Sequence, residues 1–62
     1  MKLPPGWALK ARPIQHFSLG KLVRIVVYNK QKNKKMTFTG DPNEREQIYK
    51  AAVKWANEME GL

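Results

Sequence analysis

The chain has 62 residues, no cysteine and a formal net charge of +7. A chain this short forms one domain and buries only about 60% of the surface that its unfolded form exposes, so its core is one layer of side chains. Without cysteine there are no disulfides, and a single histidine cannot assemble a zinc site.

The charge is polarised along the chain. Residues 1–40 carry nine Lys/Arg (Lys2, Lys10, Arg12, Lys21, Arg24, Lys30, Lys32, Lys34 and Lys35) and no Asp or Glu. Residues 41–62 carry three basic residues (Arg45, Lys50 and Lys54) against five acidic ones (Asp41, Glu44, Glu46, Glu58 and Glu60). A surface that serves only solubility intersperses both signs, so an acid-free stretch of forty residues points to a polyanionic partner.

In chain order, Pro4-Pro5-Gly6 excludes a regular element and makes residues 1–6 an extended or turning arm. MKLPPGW contains no apolar run long enough for a signal peptide or a membrane span, which predicts a soluble intracellular protein with no membrane partner. In Trp7–Ile14, Lys10 and Arg12 share one parity while Trp7, Leu9 and Ala11 share the other, the pattern of a first strand. Pro13 cannot donate to a ladder, so it puts that strand at a sheet edge or ends it there. Gln15–Gly20 reads as a turn or loop.

Leu22–Tyr28 is a β-branched apolar run with one charge and predicts a central strand, with Val23, Ile25 and Val27 on the core face. Met36–Thr39 predicts a third strand whose Met36 and Phe38 join that core. The segment between them, Asn29–Lys35, has no apolar residue and four lysines, and reads as a hairpin turn with a basic tip. Its asparagines tolerate the left-handed backbone that tight hairpins need.

Asp41-Pro42-Asn43-Glu44 is the start signal of a helix: a preferred N-cap, a proline at the first position, and a glutamate three residues after the cap. The helix is predicted to run to about Glu60 and to end at Gly61, with Ile48, Ala52, Trp55, Ala56 and Met59 on one face. Glu46, Lys50, Lys54, Asn57 and Glu58 take the other face, with Glu46–Lys50 and Lys54–Glu58 as ion pairs one turn apart. The fold class is thus α+β: a three-stranded antiparallel β-sheet followed by one C-terminal α-helix packed on one face.

Catalysis finds no constellation. The one serine, Ser18, and the one histidine, His16, are two apart in a predicted loop, and nucleophilic chemistry needs an activated pair with an orienting group. The glycines are scattered, so there is no phosphate-cradling loop, and no cofactor is expected. Trp55 is assigned to the core, and Trp7 to the core or to anchoring the arm.

The features with functional content are the sheet face opposite the helix and the lysine-rich tip. Lysine and arginine meet phosphates by displacing counterions, and arginine, hydroxyls and aromatics contact bases. The candidate nucleic-acid-binding residues are Lys10, Arg12, Lys21, Arg24, Tyr28, Lys30, Lys32, Lys34, Lys35, Thr37 and Thr39. A non-enzymatic domain that binds nucleic acid, duplex DNA above all, is the expected function. The alternative is a small interaction, inhibitor or adaptor subunit that docks the same basic face on an acidic protein partner. An unpaired sheet edge allows a homodimer.

The β-β-β-α order resembles a group of small DNA-binding domains: the methyl-CpG-binding, ethylene-response-factor and tyrosine-recombinase arm-binding domains. Leu3-Pro4-Pro5-Gly6-Trp7, followed by Gly20-Lys21 and Val26-Val27-Tyr28, is similar to the methyl-CpG-binding pattern, without its Arg-Ser-Gly-like loop between Trp7 and Gly20. The resemblance implies that the sheet enters the major groove and the helix backs it. Leu3–Trp7, Tyr28-Asn29, Phe38 and Asp41-Pro42 also look like parts of a WW domain, with Phe38 in place of the second tryptophan. The same element order is similar to the latter part of a double-stranded-RNA-binding domain, with Asp41, Glu44 and Glu46 where that family has a basic helix start.

Overall fold

In a computed structural model describing residues 2–61, three strands form an open antiparallel sheet in the order β1-β2-β3, with β1 at Ala8–His16, β2 at Gly20–Asn29 and β3 at Lys34–Gly40. A single 3-10 turn, Pro42–Glu44, leads into one helix, α1, at Arg45–Glu60. Met1, the first residue of the expected arm, and Leu62 lie outside the described residues. The β-β-β-α order, the central place of β2 and the edge position of the proline-bearing β1 are as the sequence predicts.

The register decides which side chains share a face. Leu9, Val27 and Met36 are aligned across the sheet, as are Ala11, Ile25 and Phe38. Val23, Ile25 and Val27 are buried, the last two to within 1% of completely, and they pack with Trp7, Ala52 and Ala56. Two alanines one turn apart let the helix approach β2 closely, while Ile48, Trp55 and Met59 flank them and are partly buried. The indoles of Trp7 and Trp55 meet edge to face at 5.5 Å, a favoured aromatic geometry.

The helix crosses the sheet obliquely. Near its start Ile48 lies over Gly40, where an added Cβ would come within 2.6 Å of Ile48 Cδ1. At its end Glu60 reaches Trp7, whose Nε1–H donates to Glu60 Oε1 at 2.9 Å, and Lys32 of the β2–β3 turn, whose ammonium pairs with Glu60 Oε2. That path covers β2 and leaves two corners open. Met36, expected in the core, is therefore 38% exposed, and Ala11 and Pro13 are exposed on the β1 side.

Several local features differ from the sequence-based expectation. Gln15 and His16 belong to β1, and only Phe17–Leu19 form the turn, because β2 begins at Gly20 and pairs with His16. Asp41 caps as expected, its Oδ1 accepting from Asn43 N at 2.8 Å, but the first turn is 3-10 and the α-helix proper begins at Arg45. The Glu46–Lys50 pair forms at 3.8 Å, whereas no Lys54–Glu58 pair forms among the described residues. Val53, which lay outside the predicted apolar stripe, is buried. Asn57, assigned to the solvent face, donates from Nδ2 to Lys2 O and Val53 O, so the arm's backbone runs beside Val53.

The arm is a turn tied to the core. Trp7 N donates to Pro4 O at 3.3 Å, with Gly6 at φ 89°, the geometry of a type II turn with proline and glycine at its centre. At the other hairpin, Asn33 N donates to Lys30 O at 3.3 Å and Asn33 takes the left-handed conformation (φ 55°). Buried Asn29 accepts from Lys32 N through Oδ1 at 3.0 Å. One asparagine thus supplies the backbone shape and the other a side-chain cap.

Two predictions follow from this packing. Ile25→Ala should cost about 2–5 kcal/mol against roughly 3–9 kcal/mol of total stability for a chain this long, read as a large drop in the urea midpoint of tryptophan fluorescence. Hydrogen bonds from Lys32 and then Trp7 hold the Glu60 carboxyl below its ordinary value of 4.5. A carboxylate favoured in the folded state stabilises it above the ordinary pKa, and that contribution fades as pH falls below 4.5 and through the lowered folded-state value. The wild-type urea midpoint should therefore fall more steeply across that range than that of Glu60→Gln.

Candidate nucleic-acid interface

Strand alternation builds a second face opposite the helix. Its cross-strand rows are Ala8–Tyr28–Lys35, Lys10–Val26–Thr37 and Arg12–Arg24–Thr39, followed by the pair Ile14–Leu22. Lys10, Arg12, Arg24, Lys35, Thr37 and Thr39 are all exposed, and Tyr28 is half-buried. The Lys10 ammonium sits over the Tyr28 ring at 5.9 Å from its centroid, within the range of a cation–π contact. Together with the β2–β3 turn these side chains border an open concavity of about 490 Å³, whose lining includes Lys10, Arg12, Arg24, Tyr28, Lys30, Lys34 and Lys35.

The centre of the face is electrostatically unfavourable in isolation. Arg12 and Arg24 are directly opposite each other, and cross-strand neighbours have Cβ atoms about 4.5–5.5 Å apart, where like charges destabilise. The ion pairs among the described residues are Lys32–Glu60 and Glu46–Lys50, so no carboxylate bridges the two arginines. All five acidic residues follow Gly40, in the turn and helix that pack on the other side of the sheet. The sheet therefore keeps every acidic side chain off its basic face.

Of the eleven candidate residues, seven share this face: Lys10, Arg12, Arg24, Tyr28, Lys35, Thr37 and Thr39. Lys30 and Lys34 stand at its border by the β2–β3 turn. Two fall elsewhere. Lys21 pairs with Gln15 and has the parity of Val23, which directs it to the helix side at the far end of the sheet. Lys32 is held by Glu60, where it offsets a carboxylate at the negative end of the helix dipole. A glutamate 28 residues beyond Lys32, in tertiary rather than local contact, leaves no signal in sequence spacing.

Sequence reasoning also passed over the apolar end of the face. Ile14 has the parity of Lys10 and Arg12, so the alternation that found the arginines also puts it beside Leu22. Beyond this pair, the β1–β2 turn exposes Phe17 almost completely. Comparison with family models, with curated proteins and with solved structures finds no match to the chain.

An exposed position carries a stability expectation of its own. Arg24→Ala should leave the urea midpoint unchanged or slightly raised, since it relieves the repulsion with Arg12; a loss of the folded circular-dichroism signal would place Arg24 on the packed side instead.

Proposed function

We propose that this is a non-enzymatic nucleic-acid-binding domain that lays the outer face of its sheet on duplex DNA. The observation that carries this reading is the Arg12–Arg24–Thr39 row: two arginines side by side at the centre of a sheet face, with lysines around them and no carboxylate between them. Such an arrangement gains nothing within the fold, and a polyanion turns its repulsion into attraction. Arginine also matches guanine bidentately in the major groove, and threonine hydroxyls and Tyr28 add base or phosphate contacts.

The dimensions support the same reading. Adjacent strands are about 4.8 Å apart, so three strands span about 10 Å between outer backbones, against a major groove about 12 Å wide. With the helix on the opposite face, nothing obstructs the approach. The arrangement resembles that of the three-strand-plus-helix DNA-binding domains, whose sheet enters the major groove. Arg12 and Arg24 take the central contacts in this scheme, and Lys10, Lys30, Lys34 and Lys35 take phosphates on either side.

Fluorescence anisotropy of labelled duplex DNA, single-stranded DNA and duplex RNA, titrated at several salt concentrations, tests the proposal. Duplex DNA should bind tightest, with log affinity falling linearly against log salt at a slope of about −0.9 per phosphate contact. Arg24→Ala should weaken binding by about 1–3 kcal/mol. Lys35→Ala should reduce the magnitude of the slope by about one, and Lys32→Ala should change it less. Absence of binding to all three ligands at low salt would overturn the reading in favour of an acidic protein partner.

A further inference from the structure

The β1–β2 turn displays its apolar side chains rather than hiding them. Phe17 is 97% exposed and Leu19 is 69% exposed. The Phe17 ring stacks on the His16 imidazole with centroids 5.1 Å apart and planes 13° from parallel. The imidazole thus lies alongside the phenyl ring, which stays open to solvent.

This display is built rather than loose. His16 Nδ1 accepts from Ser18 N at 3.2 Å and from Leu19 N at 3.0 Å, with Ser18 Oγ at 3.1 Å. Gly20 closes the turn at φ 81°. Two backbone N–H groups converging on Nδ1 require an unprotonated acceptor there, so the neutral ring carries its proton on Nε2. The tip therefore combines a pre-positioned aromatic stack with a hydrogen-bond donor. Its location matters as well, because His16 shares the strand parity of Lys10 and Arg12 and lies four residues, about 13 Å, along β1 from Arg12.

From this we infer that the Phe17–His16 tip is a stacking site for a nucleobase that has left the duplex stack: an unpaired, bulged or strand-end base. The inference rests on the proposed nucleic-acid function. A polyanion following the cationic rows toward Ile14 and Leu22 reaches a segment with no free lysine at its centre but with an open π face. A nucleobase offers what that segment accepts, a flat π surface and acceptor atoms at its edge, whereas a lipid tail offers neither. The turn is already ordered by its own hydrogen bonds, so little conformational freedom is lost when a base stacks.

The test uses two labelled duplexes, one fully paired and one with a single bulged 2-aminopurine, and compares wild type with Phe17→Ala and Phe17→Trp at several salt concentrations. Because Phe17 is exposed, neither substitution removes core packing. Wild type should prefer the bulged duplex and change the 2-aminopurine emission. Phe17→Ala should lose that preference, on the order of ten-fold in affinity, with an unchanged salt slope, and Phe17→Trp should restore it. If wild type binds both duplexes but Phe17→Ala matches it in affinity and in 2-aminopurine response, the stacking site is refuted while the nucleic-acid function stands. If wild type binds neither duplex, the underlying function fails and takes the stacking site with it. A Phe17-dependent association with vesicles of phosphatidylserine and phosphatidylcholine, alongside Phe17-independent DNA binding, would also overturn the proposal and make the tip a membrane wedge.

Discussion

Everything in this small domain depends on one strand being covered from one side. Val23, Ile25 and Val27 supply the sheet's half of the core, and Ala52 and Ala56 supply the helix's half. The alanines matter because they are small: the helix backbone approaches β2 closely enough to shut out water with a single layer of side chains. In a chain of 62 residues there is no second layer to fall back on, since short chains bury too little surface for one. The outer face of the sheet is consequently free of any packing duty, and it is there that the arginines and lysines accumulate.

The same one-sided arrangement organises the electrostatics. A sheet three strands wide separates an acid-free basic face from a helix and turn that hold every carboxylate of the chain. Among the lysines of the β2–β3 turn the exception is Lys32, which crosses to the helix side and, with the Trp7 indole, engages Glu60. That contact joins the arm, the β2–β3 turn and the end of the helix, three segments far apart in the chain. It also supplies a positive charge where the helix dipole is negative and α1 has no basic residue of its own in its last turn. Lys32 is thus engaged in the fold, whereas Lys10, Arg12, Arg24, Lys30, Lys34 and Lys35 remain exposed on or beside the outer face.

The outer face also changes character along its length. Charge and hydroxyl groups dominate from Tyr28 and Lys35 to Arg12 and Arg24, and apolar groups take over from Ile14 and Leu22 to the Phe17 tip. A uniformly solubilising surface has no reason for such a gradient. A ligand with a charged backbone and flat apolar bases matches it in both parts.

Much of this was written locally. Strand β2 is legible because β-branched residues crowd one run, the helix start because Asp41-Pro42 satisfies the cap and first-turn requirements, and the basic face because strand parity sorts Lys10, Arg12 and Arg24 from Leu9, Ala11 and Ile25 without reference to any other segment. The β2–β3 turn was legible in its composition but not in the division of labour between Asn29 and Asn33, which depends on the strand register. What only the tertiary structure decided are the relations between segments: the oblique path of the helix that leaves Met36 exposed and buries Val53, the capture of Lys32 and Trp7 by Glu60, the return of the arm to Asn57, and the extension of β1 through Pro13 to a two-sided tip at Phe17. Periodicity and capping are properties of neighbours in the chain, so they can be read from order alone. Crossing angle, register and long-range hydrogen bonds depend on how whole elements fit against one another, and those are fixed only when the single core layer closes.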